Sequence, residues 1–254
     1  MTKLLKISRR TIGILLEWIM IFVIFFAFAI RTSPIQTFLA KKATDYLSKE
    51  LNAIVKIDKV DIIFIDRVAL NNVLILDQEN DTLLFSKNII ATISDLDLKT
   101  KKYALNKVEI ENAYSHIQRD TTGKFNYKFI QDYFKRDKKK ENDIFFSINS
   151  IQLSNVHFRY DDDKKEKRKT GVDYWHIDAE NVNGEFEDLV IEDGIINSRI
   201  KSFSLQEKSG FILKELSALA KVSKNGIELD QLLLQTDKSK IVASQFDMLS
   251  NQYT

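Results

Sequence analysis

Val108-Glu109-Ile110-Glu111-Asn112-Ala113 and Ile151-Gln152-Leu153-Ser154-Asn155-Val156 obey one rule: apolar, any residue, apolar, any residue, Asn, then a small or β-branched residue. Val68-Ala69-Leu70-Asn71-Asn72-Val73 and Ile177-Asp178-Ala179-Glu180-Asn181-Val182 obey it too, so the four copies are spaced by 40, 43 and 26 residues. Alternation predicts strands with one apolar face. Asn tolerates the irregular backbone of a bulge or bend. Two copies run on into Ser115-His116-Ile117-Gln118-Arg119-Asp120 and Phe158-Arg159-Tyr160-Asp161, read as a second strand. Repetition without a fixed reactive group predicts elongated sheet architecture.

Around these copies the chain reads as β from Ala53 onward. Ile54-Val55-Lys56-Ile57 and Val60-Asp61-Ile62-Ile63-Phe64-Ile65 open the series. Strand-like alternation recurs over 83–98, 105–110, 144–153 and 172–179, and further runs cover 195–205, 211–222 and 227–234. Turn signals fall at 77–81, Thr122-Gly123, Asn183-Gly184, Asp193-Gly194, Ser209-Gly210 and Asn225-Gly226. The last four are spaced as in a β-meander. One helix interrupts at 127–136, with Tyr127, Ile130, Tyr133 and Phe134 on one side.

The N-terminal part is different. Residues 11–30, TIGILLEWIMIFVIFFAFAI, hold one charge, Glu17. As a helix they span roughly 30 Å, the thickness of a hydrocarbon core. Lys3, Lys6, Arg9 and Arg10 precede them, which places 1–10 in the cytoplasm and the chain after Arg31 across the membrane. Ile12, Trp18, Phe22, Phe26 and Ile30 are the expected anchor residues. Ala27-Phe28-Ala29 also resembles a signal-peptide cleavage site, so a cleaved leader is the competing reading; the long apolar run and large flanking residues favour the anchor. Ser33-Pro34 then predicts a helix start, Ser as N-cap. Ile35, Phe38, Leu39, Ala43, Tyr46, Leu47 and Leu51 give it one apolar face, ending near Asn52. That face either caps a sheet or lies on the membrane; its modest basic charge favours capping. The organisation expected is a cytoplasmic tail (1–10), an anchor (11–31), an amphipathic helix (32–52) and a β region (53–254).

Charge and composition remove other functions. The first 31 residues carry a net +4 and the remainder −2, so the body has no basic excess for nucleic acid. With no Cys and three separated histidines, His116, His157 and His176, neither a thiol nucleophile nor a multi-His metal centre is expected, and no cofactor. There is no G-x-S-x-G elbow, H-E-x-x-H or phosphate-cradling Gly loop, so an enzyme is not expected. The mixed-sign runs at 135–141 and 161–169 read as solvated loops, with contact to anionic head groups as the sharper alternative. The Asp161–Asp163 triplet lacks the ligand spacing of a calcium loop.

Taken together, the basic tail, single apolar helix, Thr32-Ser33-Pro34 helix and Ile57-Asp58-Lys59-Val60-Asp61 resemble the AsmA-like family, within it the N-terminal part of TamB-like proteins (translocation and assembly module subunit). Arg119-Asp120-Thr121-Thr122-Gly123-Lys124-Phe125-Asn126, Phe203-Ser204-Leu205-Gln206-Glu207-Lys208-Ser209-Gly210-Phe211 and Gly226-Ile227-Glu228-Leu229-Asp230-Gln231-Leu232 carry the same resemblance. Family members are far longer and end in a C-terminal domain with no counterpart here, so an N-terminal fragment is expected. The resemblance implies an inner-membrane anchor and a curved, elongated antiparallel periplasmic β-sheet forming an apolar groove. It implies a role in outer-membrane biogenesis, either carrying phospholipid between membranes or assembling outer-membrane proteins with a barrel partner. Membrane lipid is then the expected ligand. Leu70, Ile110, Leu153, Phe158, Ile177, Leu213 and Leu229, taken on one strand parity, are the candidate lining; core packing against a second layer fits each at least as well. An anchored scaffold that docks partners by strand addition is the other reading of the same features.

Overall fold

Ten strands lie side by side in chain order in one open sheet, so each step of the sequence is a step across the sheet. The computed structural model describes residues 32–64, 66–97, 102–137, 145–192 and 195–249, with Trp18, Met20 and Ile21. The order is α1 (Ser33–Leu51), β1 (Val55–Phe64), β2 (Arg67–Leu76), β3 (Thr82–Asp97), β4 (Lys102–Arg119), α2 (Lys128–Asp137), β5 (Phe145–Asp162), β6 (His176–Glu192), β7 (Ile195–Glu207), β8 (Ile212–Ser223), β9 (Gly226–Thr236) and β10 (Lys240–Leu249). Among the described residues no helix is long and apolar enough to cross a membrane. The anchor residues Ile12, Phe22, Phe26 and Ile30 lie outside the described residues, whereas Trp18 is helical and exposed.

The sheet is mixed, not wholly antiparallel as expected: β4 and β5 pair in parallel, and every other neighbouring pair is antiparallel. The cause is the length of the connection between them. It contains α2, long enough to carry the chain back to the starting end, which a parallel pair needs. The pair holds a constant offset, Ile110 opposite Leu153 and Ala113 opposite Val156, equal to the 43-residue repeat spacing. Two copies of the repeat therefore lie in register side by side. The residues following each copy stay in the same long strand instead of starting another.

Three turns at one end of the sheet share a geometry. In 77–81, 120–124 and 207–211 the first residue's N–H donates to the fifth carbonyl (2.8, 2.9 and 2.8 Å). The fourth position, Asn80, Gly123 or Gly210, has φ 68°, 92° or 93°, which explains Asn and Gly there. The carboxylates of Asp77, Asp120 and Glu207 each accept from the N–H two residues on. Asn183-Gly184, by contrast, is not a turn but lies inside β6. A Cβ on Gly184 would sit 2.8 Å from a Phe186 ring carbon and 3.0 Å from one of Phe203, so glycine serves the packing of two rings. β6 also starts only at His176, because Asp173 holds the preceding segment in a loop by accepting from the N–H groups of Arg168 and Trp175.

α1 closes the β1 edge. Leu39, Ala40, Ala43, Leu47 and Leu51 pack against Val55, Ile57, Val60 and Val73. Its hydroxyls bond the strand's main chain: Ser48 Oγ donates to Val55 O and accepts from Val55 N–H, both 3.1 Å, and Thr44 Oγ1 accepts from Ile57 N–H at 3.1 Å. An otherwise bare sheet edge is thus both covered and hydrogen-bonded. The helix starts after Thr32, not Ser33 as expected, with Pro34 in the first turn and no side-chain cap. It ends on Asn52 in the left-handed conformation, as the periodicity predicts. Ser48→Ala is expected to cost about 1–2 kcal/mol in urea unfolding, since two buried-edge main-chain groups lose their partner; an unchanged midpoint would show that water replaces the hydroxyl.

Candidate functional site

Apolar side chains line up across strands on one face. One row of Cα partners runs Val60, Leu70, Ile89, Ile110, Leu153, Gly184, Phe203. A second runs Ile62, Val68, Ala91, Val108, Ile151, Phe186, Ile200, Ala218. A third, fully buried, runs Ile57, Val73, Ser86, Ala113, Val156, Val182. Its one polar member, Ser86, has its hydroxyl 2.9 Å from Asn88 O and 3.2 Å from Glu111 O.

The rows share a face because the strands break strict alternation. Leu70 and Val73 are three apart, as are Ile110 and Ala113, and Leu153 and Val156; two-residue alternation would put each pair on opposite faces. The residue before the second member takes a left-handed conformation: Asn72 φ 49°, Asn112 φ 49°, Asn155 φ 53°. Asn181, φ 51°, does the same between Ala179 and Val182 in β6. All four Asn of the repeat are thus the points where the side-chain parity flips. In β2 to β5 the flip occurs without an inserted residue, since the pairing sums or offsets are unchanged on both sides. Asn is suited to it because its short polar side chain makes this conformation less costly than other non-Gly residues do. Cross-strand hydrogen bonds hold the line on the opposite face: Asn155 Nδ2 donates to Asn112 Oδ1 at 2.7 Å, and Asn72 Nδ2 to Asp58 Oδ2 at 3.0 Å.

Every candidate lining residue falls on this face. Leu70 packs on the β1–β3 cluster, and Ile110, Leu153, Phe158 and Ile177 on the β4–β7 cluster with Ala113, Val156, Ala179 and Val182. Leu213 pairs with Leu205 of the same cluster. Leu229 pairs with Ala220, two residues from Ala218 of the second row, and with Phe246 of β10. The expectation of a single parity is corrected: Leu153 and Phe158 differ in parity and meet only because Asn155 intervenes. Val60, Ile89, Val73 and Phe203 were not singled out from the sequence. Spacing apolar residues at the first, third and sixth positions, with the fifth left free, would have found more. It also fits Ile227-Glu228-Leu229-Asp230-Gln231-Leu232, where Gln231 has φ 54° and Leu232 is buried.

Apart from neighbouring strands, the substantive packing between described elements is α1 on β1 and α1 beside α2. Among the described residues no second layer lies on β4 to β10, and Ile110, Leu153, Phe158 and Ile177 remain only partly buried. A hollow of about 440 Å³ lies among Asp77, Asp120, Asn126, Lys128, Asp132 and Asp163, with Phe125 and Phe129 beside them.

The other face carries the ionic chemistry. Each histidine meets an aspartate: His116 Nε2 with Asp161 (2.9 Å), His157 Nε2 with Asp178 (2.7 Å) and His176 Nδ1 with Asp173 (3.0 Å). Burial alone would raise the Asp161 carboxyl, but bonds from Arg159 and His116 outweigh it and hold it below the usual range. Asp178 is lowered by His157, against desolvation, and Asp173 by the Arg168 N–H. Lowered folded-state values add stability above the unfolded pKa of about 3.9, and that stability is lost as pH falls through the folded values. Unfolding free energy should therefore rise with pH over the acid range up to about 4. Asp161→Asn with Asp178→Asn should flatten that rise; a slope identical to wild type would contradict the assignment.

No family model matches the chain, and no curated protein does either. The case for a function rests on the geometry above.

Proposed function

We propose that the protein is an anchored, non-enzymatic element of envelope biogenesis that carries phospholipid along its apolar face. On this reading 11–31 is the inner-membrane anchor, the sheet is periplasmic, and the face is the lining of a groove. Assistance to outer-membrane protein assembly with a barrel partner belongs to the same proposal, as does the likeness to TamB-like proteins. The observation that carries it is the set of largely apolar rows crossing six to eight strands, with no covering layer over β4 to β10 among the described residues.

The physical case is simple. Neighbouring strands lie about 4.8 Å apart, so ten span roughly 43 Å. An acyl chain moving along the second row meets an apolar side chain at each step from β1 to β8. Shielding each CH₂ from water is worth about 0.8 kcal/mol, while the head group keeps its hydration at the open side. Such transfer needs neither covalent chemistry nor a cofactor. Lipid extraction and native mass spectrometry of the detergent-purified full chain test it: bound phospholipid in excess of a single-helix control membrane protein is expected, and none above that control would end the conduction reading.

One observation favours the scaffold reading instead. β10 is an edge strand, and Ile241, Val242, Phe246 and Met248 are 48–73% exposed, so a further strand can pair there. A partner bound in lipid-free protein and lost on proline substitution at Val242 would favour it.

A further inference from the structure

The tip between β5 and β6, residues 163–175, has a surface whose sign the sequence conceals. The run Asp161-Asp162-Asp163-Lys164-Lys165-Glu166-Lys167-Arg168-Lys169 reads as nearly balanced. The structure separates the signs. Asp161, Asp162 and Asp173 are buried, at 6%, 0% and 9% exposure. Asp161 accepts from His116 and Arg159, Asp162 from Arg119 Nη1 (3.2 Å) and the Lys164 N–H (3.0 Å), and Asp173 from the Arg168 and Trp175 N–H groups. Asp163 is engaged by Gln118 Nε2 at 2.8 Å. Residues 163–171 are all exposed, so Lys164, Lys165, Lys167, Arg168 and Lys169 face solvent against Glu166 and the engaged Asp163. Lys208, on the adjoining turn, is 79% exposed. Two of these cations make only long contacts, Lys167 to Asp161 at 3.7 Å and Lys208 to Asp178 at 3.5 Å.

Aromatic side chains stand in the same patch. Tyr174 is 66% and Trp175 40% exposed, and Lys165 Nζ lies 5.0 Å from the Trp175 ring centre. Phe211, on the neighbouring turn, is 36% exposed. Exposed Trp and Tyr beside a cluster of Lys and Arg match the chemistry of a bilayer interface: rings sit at head-group depth, and cations meet anionic phosphate. An acidic protein surface would account for the lysines but not for rings left open to water.

The tip also lies at the opposite end of the sheet from the one the α1 N-terminus points to. Ser48 meets Val55 and Thr44 meets Ile57, so the α1 N-terminus points to the other end of the strands, and β5 alone, at 18 residues, spans roughly 60 Å.

We propose that this tip docks on an anionic phospholipid surface, a second membrane contact distinct from residues 11–31. It does not require the apolar face to carry lipid. The chain has two tryptophans, so Trp18→Phe leaves Trp175 as the sole reporter. The full-length variant is placed in phosphatidylcholine nanodiscs and mixed with vesicles of brominated phosphatidylglycerol or brominated phosphatidylcholine. Blue-shifted, quenched Trp175 emission is expected with phosphatidylglycerol alone, weakened by salt. Adding Lys164→Gln, Lys165→Gln and Lys169→Gln, three exposed changes, should weaken it about a hundredfold, while Leu153→Asp on the apolar face should leave it unchanged. Equal quenching by both lipids, no quenching, insensitivity to the lysine changes, or binding of polyglutamate without quenching by lipid would each overturn the proposal.

Discussion

Replacing Leu153 by Asp is expected to remove co-purifying phospholipid, at least tenfold, from a protein that still folds. Leu153 sits mid-row, between Ile110 and Gly184, on the stretch of face that no described element covers. Placing an ionised carboxylate against acyl chain costs several kcal/mol, and each 1.4 kcal/mol is a factor of ten. Leu153 is only partly buried, so in water the new carboxylate keeps much of its hydration and the fold loses about 2–3 kcal/mol of apolar contact. Gln152→Lys, one residue away, facing the other side between Glu109 and Glu185, is the control and should lower neither lipid nor stability. Lipid extraction with circular dichroism on the three proteins reads both effects. If Leu153→Asp keeps its lipid, the face is a core and not a groove.

The double change Asn112→Val with Asn155→Val should be the most destabilising polar substitution on the sheet, about 3–4 kcal/mol in urea unfolding. Both residues have positive φ, which a β-branched side chain adopts poorly, and their mutual 2.7 Å hydrogen bond is lost with them. The sites touch, so the double change should not equal the sum of the single ones. Asn112→Gly with Asn155→Gly keeps the backbone freedom and should cost only about 1 kcal/mol, the hydrogen bond. A valine pair no worse than the glycine pair would show that the parity flip does not depend on these residues.

The four Asn of the repeat announced irregular backbone, and each has positive φ. The alternation announced strands, and the helix over 127–136 lies within a residue or so of α2. What the residues did not announce was the consequence of the Asn. Local patterning assigns faces by counting in twos, and a left-handed residue changes the count, so Leu153 and Phe158 join one face through Asn155. Asn183-Gly184 has the chemistry of a hairpin turn, but ladder pairing on both sides and the Phe186 and Phe203 rings place it in a strand. β10 was not picked out because its apolar residues do not alternate: Ile241 and Val242 are adjacent, and Ser244 and Gln245 separate them from Phe246. The parallel pairing of β4 and β5 is a tertiary choice written only in the length of a connection. Hydrogen bonding of the three histidines to aspartates joins residues 3 to 45 apart in sequence, and no local motif carries it.

The proposed lipid path is tested most directly by a photo-crosslinking amino acid placed in turn at Leu153, Ile110 and Phe158 and, on the opposite face, at Gln152 and His157, in living cells. The account predicts phospholipid adducts at the first three positions and none at the last two. Equal adducts on both faces, or adducts only to protein at Leu153, would contradict it.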